Sequence, residues 1–213
     1  MGKVSLPPDK LSDCVAFFRP NRMVLVTTRE RDGTVHVAPF AWCMPVSTNP
    51  PMVVLALLTR PRKQHTLVNI ERDKRFVINF PNHDIAADLV RSSYRYPAGV
   101  RKIGNLELEF SPSQCIDVPL VKQCRAHVEC RLETSLVTGD HTLLVARVLA
   151  ASYAPEQYED GYILNVEKYL PCLHLGHKTS PDGQLHTFVI EAKKGSFFVP
   201  YELPRRGPQK AAP

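Results

Sequence analysis

Met23-Val24-Leu25-Val26-Thr27-Thr28, followed by Asp32-Gly33 and then Val35-His36-Val37-Ala38-Pro39-Phe40, is the stretch that decides the fold class. A run of β-forming residues leads into Asp-Gly, the dipeptide whose glycine supplies the positive φ of a tight hairpin turn. Beyond the turn, Val35, Val37 and Pro39 alternate with His36, Ala38 and Phe40, which predicts a half-buried return strand. Working outward, the same pattern recurs. Met52 to Leu58 is nearly all apolar and reads as a central strand, and Arg75-Phe76-Val77-Ile78-Asn79-Phe80 is a strand stopped by Pro81. Ala126 to Leu136 alternates Val128, Cys130 and Leu132 with polar residues; Gly139-Asp140 then turns the chain into a second long strand, His141 to Ala151. A late pair is expected at Thr187 to Ala192 and Ser196 to Val199. Pro45, Pro50 and Pro51 make the intervening stretch a loop or an irregular edge.

Helical period is confined to two short pieces. Leu67 and Ile70 share one side of a helix over His65 to Arg72, and Ile85 to Arg91 holds two turns through the i,i+4 pairs Ile85/Leu89 and Ala86/Val90. Ser92 to Val121 is irregular, and Pro204 to Pro213 reads as a disordered basic tail. Short strands joined by hairpins, with few inserted helices, predict a mainly β protein built as an antiparallel barrel. Strands do not alternate with long helices, and neither GxGxxG nor GxxxxGK[ST] occurs, which weighs against a Rossmann or P-loop nucleotide site.

The 213 residues carry 27 Lys+Arg and 21 Asp+Glu, so the net charge is 27 − 21 = +6. That excess is modest and broken up by acidic residues, and the strand aromatics Phe76 and Phe80 sit in apolar patterns; no nucleic-acid partner is expected. No apolar run approaches the ~18 residues of a membrane span, and Met1 to Lys10 lacks the apolar stretch of a signal peptide, so a cytoplasmic, non-membrane protein is expected. None of the 6 cysteines is spaced as CxxC, and reduced thiols are the expectation.

Three places carry candidate chemistry. At Ala41-Trp42-Cys43-Met44-Pro45-Val46-Ser47 a strand runs out into small and polar residues, freeing backbone groups for a planar heterocycle; a proline-broken strand end anchored by Trp42 explains the same pattern. Arg60-Pro61-Arg62-Lys63-Gln64-His65-Thr66 precedes a helix, whose N-terminus favours an anion; Thr66 is expected to cap that helix or to bind phosphate with Arg60 and Lys63. His141 opens a strand, where an imidazole can meet developing negative charge. Ser92 and Tyr96 are candidates for a substrate pocket. Cys172, His174 and His177 lack a nearby fourth ligand other than His186, and no metal is expected.

In order and spacing, these segments resemble the flavin reductase-like family of FMN-binding split barrels. The resemblance is carried by Leu25-Val26-Thr27-Thr28, Asp32-Gly33, Val37 to Trp42, Pro45-Val46-Ser47, Pro50 to Val53, Thr66 to Ile70, Phe76 to Asn79, Tyr96 to Val100, Cys124 to Cys130, Gly139 to Leu143 and Pro171 to Gly176. It implies a six-stranded Greek-key split barrel over 19–176, between a lead-in segment 1–18 and a C-terminal extension 177–213. It also implies a homodimer, FMN as cofactor, NADH or NADPH as electron donor, and a flavin or another small molecule as acceptor. A partner oxygenase is a further possibility it opens. In such a protein Ala41, Trp42, Cys43, Met44, Pro45 and Ser47 would meet the flavin ring, and Arg60, Lys63, Thr66 and Asn69 would hold the phosphate. His141 would be the catalytic residue, positioning the substrate. The chain departs from the family at Gln64-His65, where Lys-Asp is common. A flavin-binding electron carrier without its own nicotinamide turnover is the alternative reading.

Overall fold

The computed structural model describes residues 2–94, 102–179 and 185–191, with side chains described as far as Gly176. Strands are β1 (Asn21–Arg22), β2 (Val24–Arg29), β3 (Val35–Phe40), β4 (Cys43–Thr48), β5 (Pro51–Leu58), β6 (Arg75–Phe80), β7 (Phe110–Ser111) and β8 (Leu120–Val121). They continue as β9 (Ala126–Thr138), β10 (His141–Tyr153), β11 (Tyr158–Glu159), β12 (Ile163–Leu164), β13 (Cys172–Thr179) and β14 (Leu185–Glu191). Helix α1 (His65–Asp73) follows β5 and α2 (Ala86–Arg91) follows β6.

Seven strands form one antiparallel sheet in the order β3-β2-β6-β9-β10-β5-β4. The mainly β, split-barrel class expected from the sequence is what the structure has, with seven strands in the main sheet where six were expected. The β2–β3 hairpin closes as its sequence dictates. Gly33 adopts φ +80, and Asp32 Oδ1 accepts the Thr34 N–H at 3.0 Å, an Asx turn that fixes the register Val24↔Phe40.

β2 is buried on both faces. Val24 and Val26 join Phe40, Leu55, Leu57, Phe76, Ile78 and Leu144 in the barrel core, which α1 covers with Leu67 and Ile70. Met23 and Leu25 point the other way, onto Ile85 and Leu89 beside α2, with Val37, Val121 and Cys172. The helix over 65–72 is therefore a barrel plug, and it ends where Lys74 takes φ 60 and returns its N–H to Ile70 O.

One reading of the sequence is met in its second form and three others are not. Cys43–Thr48 is an edge strand paired with β5 and bulged between Pro45 and Ser47, the irregular edge that its prolines predict. Pro8–Phe18 winds into a 3-10 helix that buries no residue. The late strand β14 pairs with β13, which itself runs across Gly176; 196–199 lie outside the described residues. Thr66 does not cap α1: the cap position is Gln64, and Thr66 sits at the second helical residue.

Candidate functional site

β3, the 58–66 connection, the turn that follows α2 and the Lys102–Ile103 segment wall a cleft of about 770 Å³. One end is basic and polar, lined by Arg62, Lys63, Gln64, His65 and Thr66 at the start of α1, with Glu30 and His36 opposite. The other end is apolar, with Ala38, Pro39, Phe40 and Leu58. The connection is held rigidly: Gln64 Oε1 accepts the Leu58 N–H at 2.8 Å while Gln64 N–H returns to Leu58 O at 3.0 Å. The Thr59 and Arg60 N–H groups both donate to Asp140 O, at 2.7 and 3.1 Å, tying the connection to the β9–β10 turn.

His141 pairs with the lining residue Leu58 across β10 and β5, which sets it beside the apolar end, although neither His141 nor Trp42 lines the cleft itself. Its ring lies 4.6 Å from that of Trp42, tilted by 31°, and its Nδ1–H donates to Asp140 Oδ1 at 2.7 Å. This bond also holds the Asp140 carboxyl below its ordinary range. Trp42 and His141, 99 positions apart, thus form one aromatic rim. Trp42 is 42% exposed, so the tryptophan is not the core anchor that its position also suggested. Cys43 is tucked beneath, its thiol pushed up to about 12 by burial, so it stays protonated at neutral pH. Met44 and Val46 present large apolar surface on the outside of β4.

The expected phosphate residues divide. Lys63 and Thr66 line the cleft; Lys63 Nζ is paired with Glu71 at 2.7 Å, and the buried Thr66 hydroxyl is 3.1 Å from His36 Nε2. Arg60 contributes its backbone to the Asp140 contact and is not a lining residue. Asn69 is buried with its amide donating to Thr28 Oγ1, facing the core. Ser92 lines the cleft, but its hydroxyl donates to Leu89 O at 2.7 Å. Tyr96 lies outside the described residues.

Sequence reasoning missed Lys102, Glu30 and His36. Lys102 Nζ donates to Val37 O at 3.2 Å and Ser92 O at 2.8 Å, and burial lowers its proton affinity. His36 is held down to about 3 by burial first, then by the Lys102 and His65 charges, so its ring is neutral. None of these follows a spacing rule; only the folded β3 wall puts them together.

The sequence profile of the flavin reductase like domain matches residues 18–175. The chain belongs to this family. Among relatives of the flavin reductase-like protein, an uncharacterised protein of Pyrococcus abyssi is 31% identical over 142 residues, covering 67% of the chain and 79% of the relative. Among solved structures, nitrilotriacetate monooxygenase component B from Bacillus cereus superimposes with a TM-score of 0.76 at 20% identity, covering 93% of this chain and 100% of that one. Flavoredoxin from Methanosarcina acetivorans gives 0.68 at 21% identity, covering 92% and 95%.

The residues present fit a flavin mononucleotide. The cleft volume lies in the ~300–1,000 Å³ range of small-molecule sites, its basic end suits the phosphate of such a ligand, and the Trp42–His141 pair lies next to the lining residue Leu58 on the way to a ring position.

Proposed function

We propose that this protein is an FMN-binding oxidoreductase that takes a hydride from NADH or NADPH and passes electrons to a flavin or another small acceptor. The observation that carries the reading is a cleft lined by the start of α1 and by Leu58, whose partner across β5 and β10 is His141, the residue that meets Trp42. Arg62, Lys63 and the first N–H groups of α1 hold the phosphate, with Lys63 released from Glu71 to do so. The backbone of Ala41 to Ser47 borders the ring, which brings the redox chemistry when bound. His141, oriented by Asp140, positions the nicotinamide or acceptor against the rim.

The function also calls for a second copy of the chain. Trp42, Met44 and Val46 are 42%, 60% and 47% exposed along one edge strand, an apolar stripe that suits a homodimer covering the open side of the rim. Reduced flavin handed on to a partner oxygenase is consistent with the likeness to a monooxygenase component. No described helix is long and apolar enough to cross a membrane.

The test is an absorption spectrum of the protein with FMN, before and after NADH or NADPH without oxygen. Bleaching of bound-flavin bands supports the reductase. Bands that persist favour an electron carrier, a reading that the likeness to flavoredoxin keeps in view. No bound flavin refutes both.

A further inference from the structure

Glu30, His36 and His65 converge at the basic end of the cleft from three separate places: the exit of β2, the second residue of β3 and the first residue of α1. His36 Nδ1 lies 3.2 Å from one oxygen of the Glu30 carboxylate, and His65 Nε2 lies 2.6 Å from the other. All three donor atoms fall within 4.8 Å of one another. A tetrahedral ion with bonds of about 2.0–2.2 Å sets its ligand atoms roughly 3.3–3.6 Å apart. The His36–Glu30 edge already has nearly that length. The His65–Glu30 separation, which runs to the other carboxylate oxygen, must open by less than about 1 Å, and the His65 ring, packed 5.0 Å from that of His36, belongs to a side chain 59% exposed.

The surroundings match a ligand set as well as the distances do. The second nitrogen of His36 meets Thr66 Oγ1 at 3.1 Å, so one ring nitrogen is fixed from behind while the other faces Glu30. This is the outer hydrogen bond that orients most metal-binding histidines. Two neutral imidazoles and one carboxylate suit a borderline divalent ion and leave one position open. All three residues line the cleft.

We propose that Glu30, His36 and His65 bind a divalent cation of the zinc class, with its free coordination position directed into the cleft. The ion accounts for a carboxylate placed where an anion is to be held. Without it, Glu30 opposes Arg62 and Lys63; with it, a 2+ ion and a single carboxylate leave a net +1 centre that attracts a phosphate oxygen. Lys102 on the same wall repels the ion, and an anion in the open position offsets that repulsion. The last step rests on the flavin reading; binding of the ion does not.

The test uses full-length protein stripped of metal and flavin. Cobalt(II) is titrated in and followed by its visible ligand-field absorption, then displaced with zinc(II) and measured by calorimetry. One equivalent of cobalt with the intense bands of a four- or five-coordinate site is expected. Loss of an outer-shell partner alone costs about 10–100-fold in metal affinity, so removal of a ligand in His65→Ala or Glu30→Gln should weaken zinc binding by at least about 100-fold. His65 is exposed, so His65→Ala should keep the wild-type circular dichroism. Absence of the cobalt bands, or zinc binding unchanged in both variants, overturns the proposal. Parallel FMN titrations with and without zinc separate the two readings: cobalt bands without any FMN binding refute the flavin alone, and FMN binding without cobalt bands refutes the metal alone.

Discussion

Trp42 is the one tryptophan in the chain, and its indole packs at a tilt against His141, whose strand partner Leu58 lines the cleft. FMN bound beside it should quench most of its fluorescence in a saturable titration. An aromatic contact contributes about 0.5–1.5 kcal/mol, so His141→Ala should weaken FMN or nicotinamide binding by about 2- to 13-fold, read from the same titration. A second residue to change is Lys74, the only described non-glycine apart from Tyr162 with positive φ. The left-handed conformation costs a side-chain-bearing residue about 1–2 kcal/mol, partly offset by the extra freedom of an unfolded glycine, so Lys74→Gly should raise stability by about 0.5–1 kcal/mol in urea denaturation. At this scale the site was half legible. Lys63, Thr66 and Trp42 stand in segments whose order signals them, whereas Glu30, His36 and Lys102 become partners only through folding. Asn69 shows the reverse: it lies in the signalling segment, but helical geometry turns its amide inward to Thr28.

Among the elements, β8, β9 and β10 are joined by His127. Its Nε2–H donates to Val121 O at 2.9 Å and its Nδ1 lies 3.0 Å from Ser152 Oγ, whose hydroxyl can donate to the neutral ring. Burial lowers its proton affinity below the ordinary value of 6.5, against the smaller opposing effects of Val121 O and Glu129. The unfolded chain then binds the proton more readily than the folded one. Stability conferred by His127 is present above pH 6.5 and lost as pH falls below it, and His127→Gln should flatten that part of a stability–pH curve. Glu129 on the same strand is buried and accepts the Gln114 and Cys115 N–H groups at 2.7 and 2.8 Å. Glu129→Ala should cost about 2–4 kcal/mol, since two bonds to a charged group are lost and both donors are stranded, and should loosen 111–119 in hydrogen exchange. Element positions were readable because period and turn chemistry are local: the β2–β3 hairpin, α1 and the β9–β10 hairpin stand where their residues put them. The pairing of β13 with β14 was not, because nothing local names a partner strand.

For the whole molecule, the exposed β4 stripe predicts association. Sedimentation should find a dimer, and Met44→Lys with Val46→Lys should shift it toward monomer and weaken FMN binding together; a wild-type monomer that binds FMN at full strength would refute the dimer. The barrel class was legible from the count of hairpins and the scarcity of helices, whereas the order of strands across the sheet depends on contacts far apart in sequence. The same edge strand has a further consequence. β4 ends the sheet, so its outer backbone groups are a template on which another β-strand can grow. Pro45 removes a donor from that template, and the bulge before Ser47 twists it out of line. The protein can thus present apolar side chains at an open edge and still resist fibril formation. Replacing Pro45 by threonine should restore a continuous edge, and thioflavin T fluorescence on prolonged warm incubation should then rise where that of the parent stays flat.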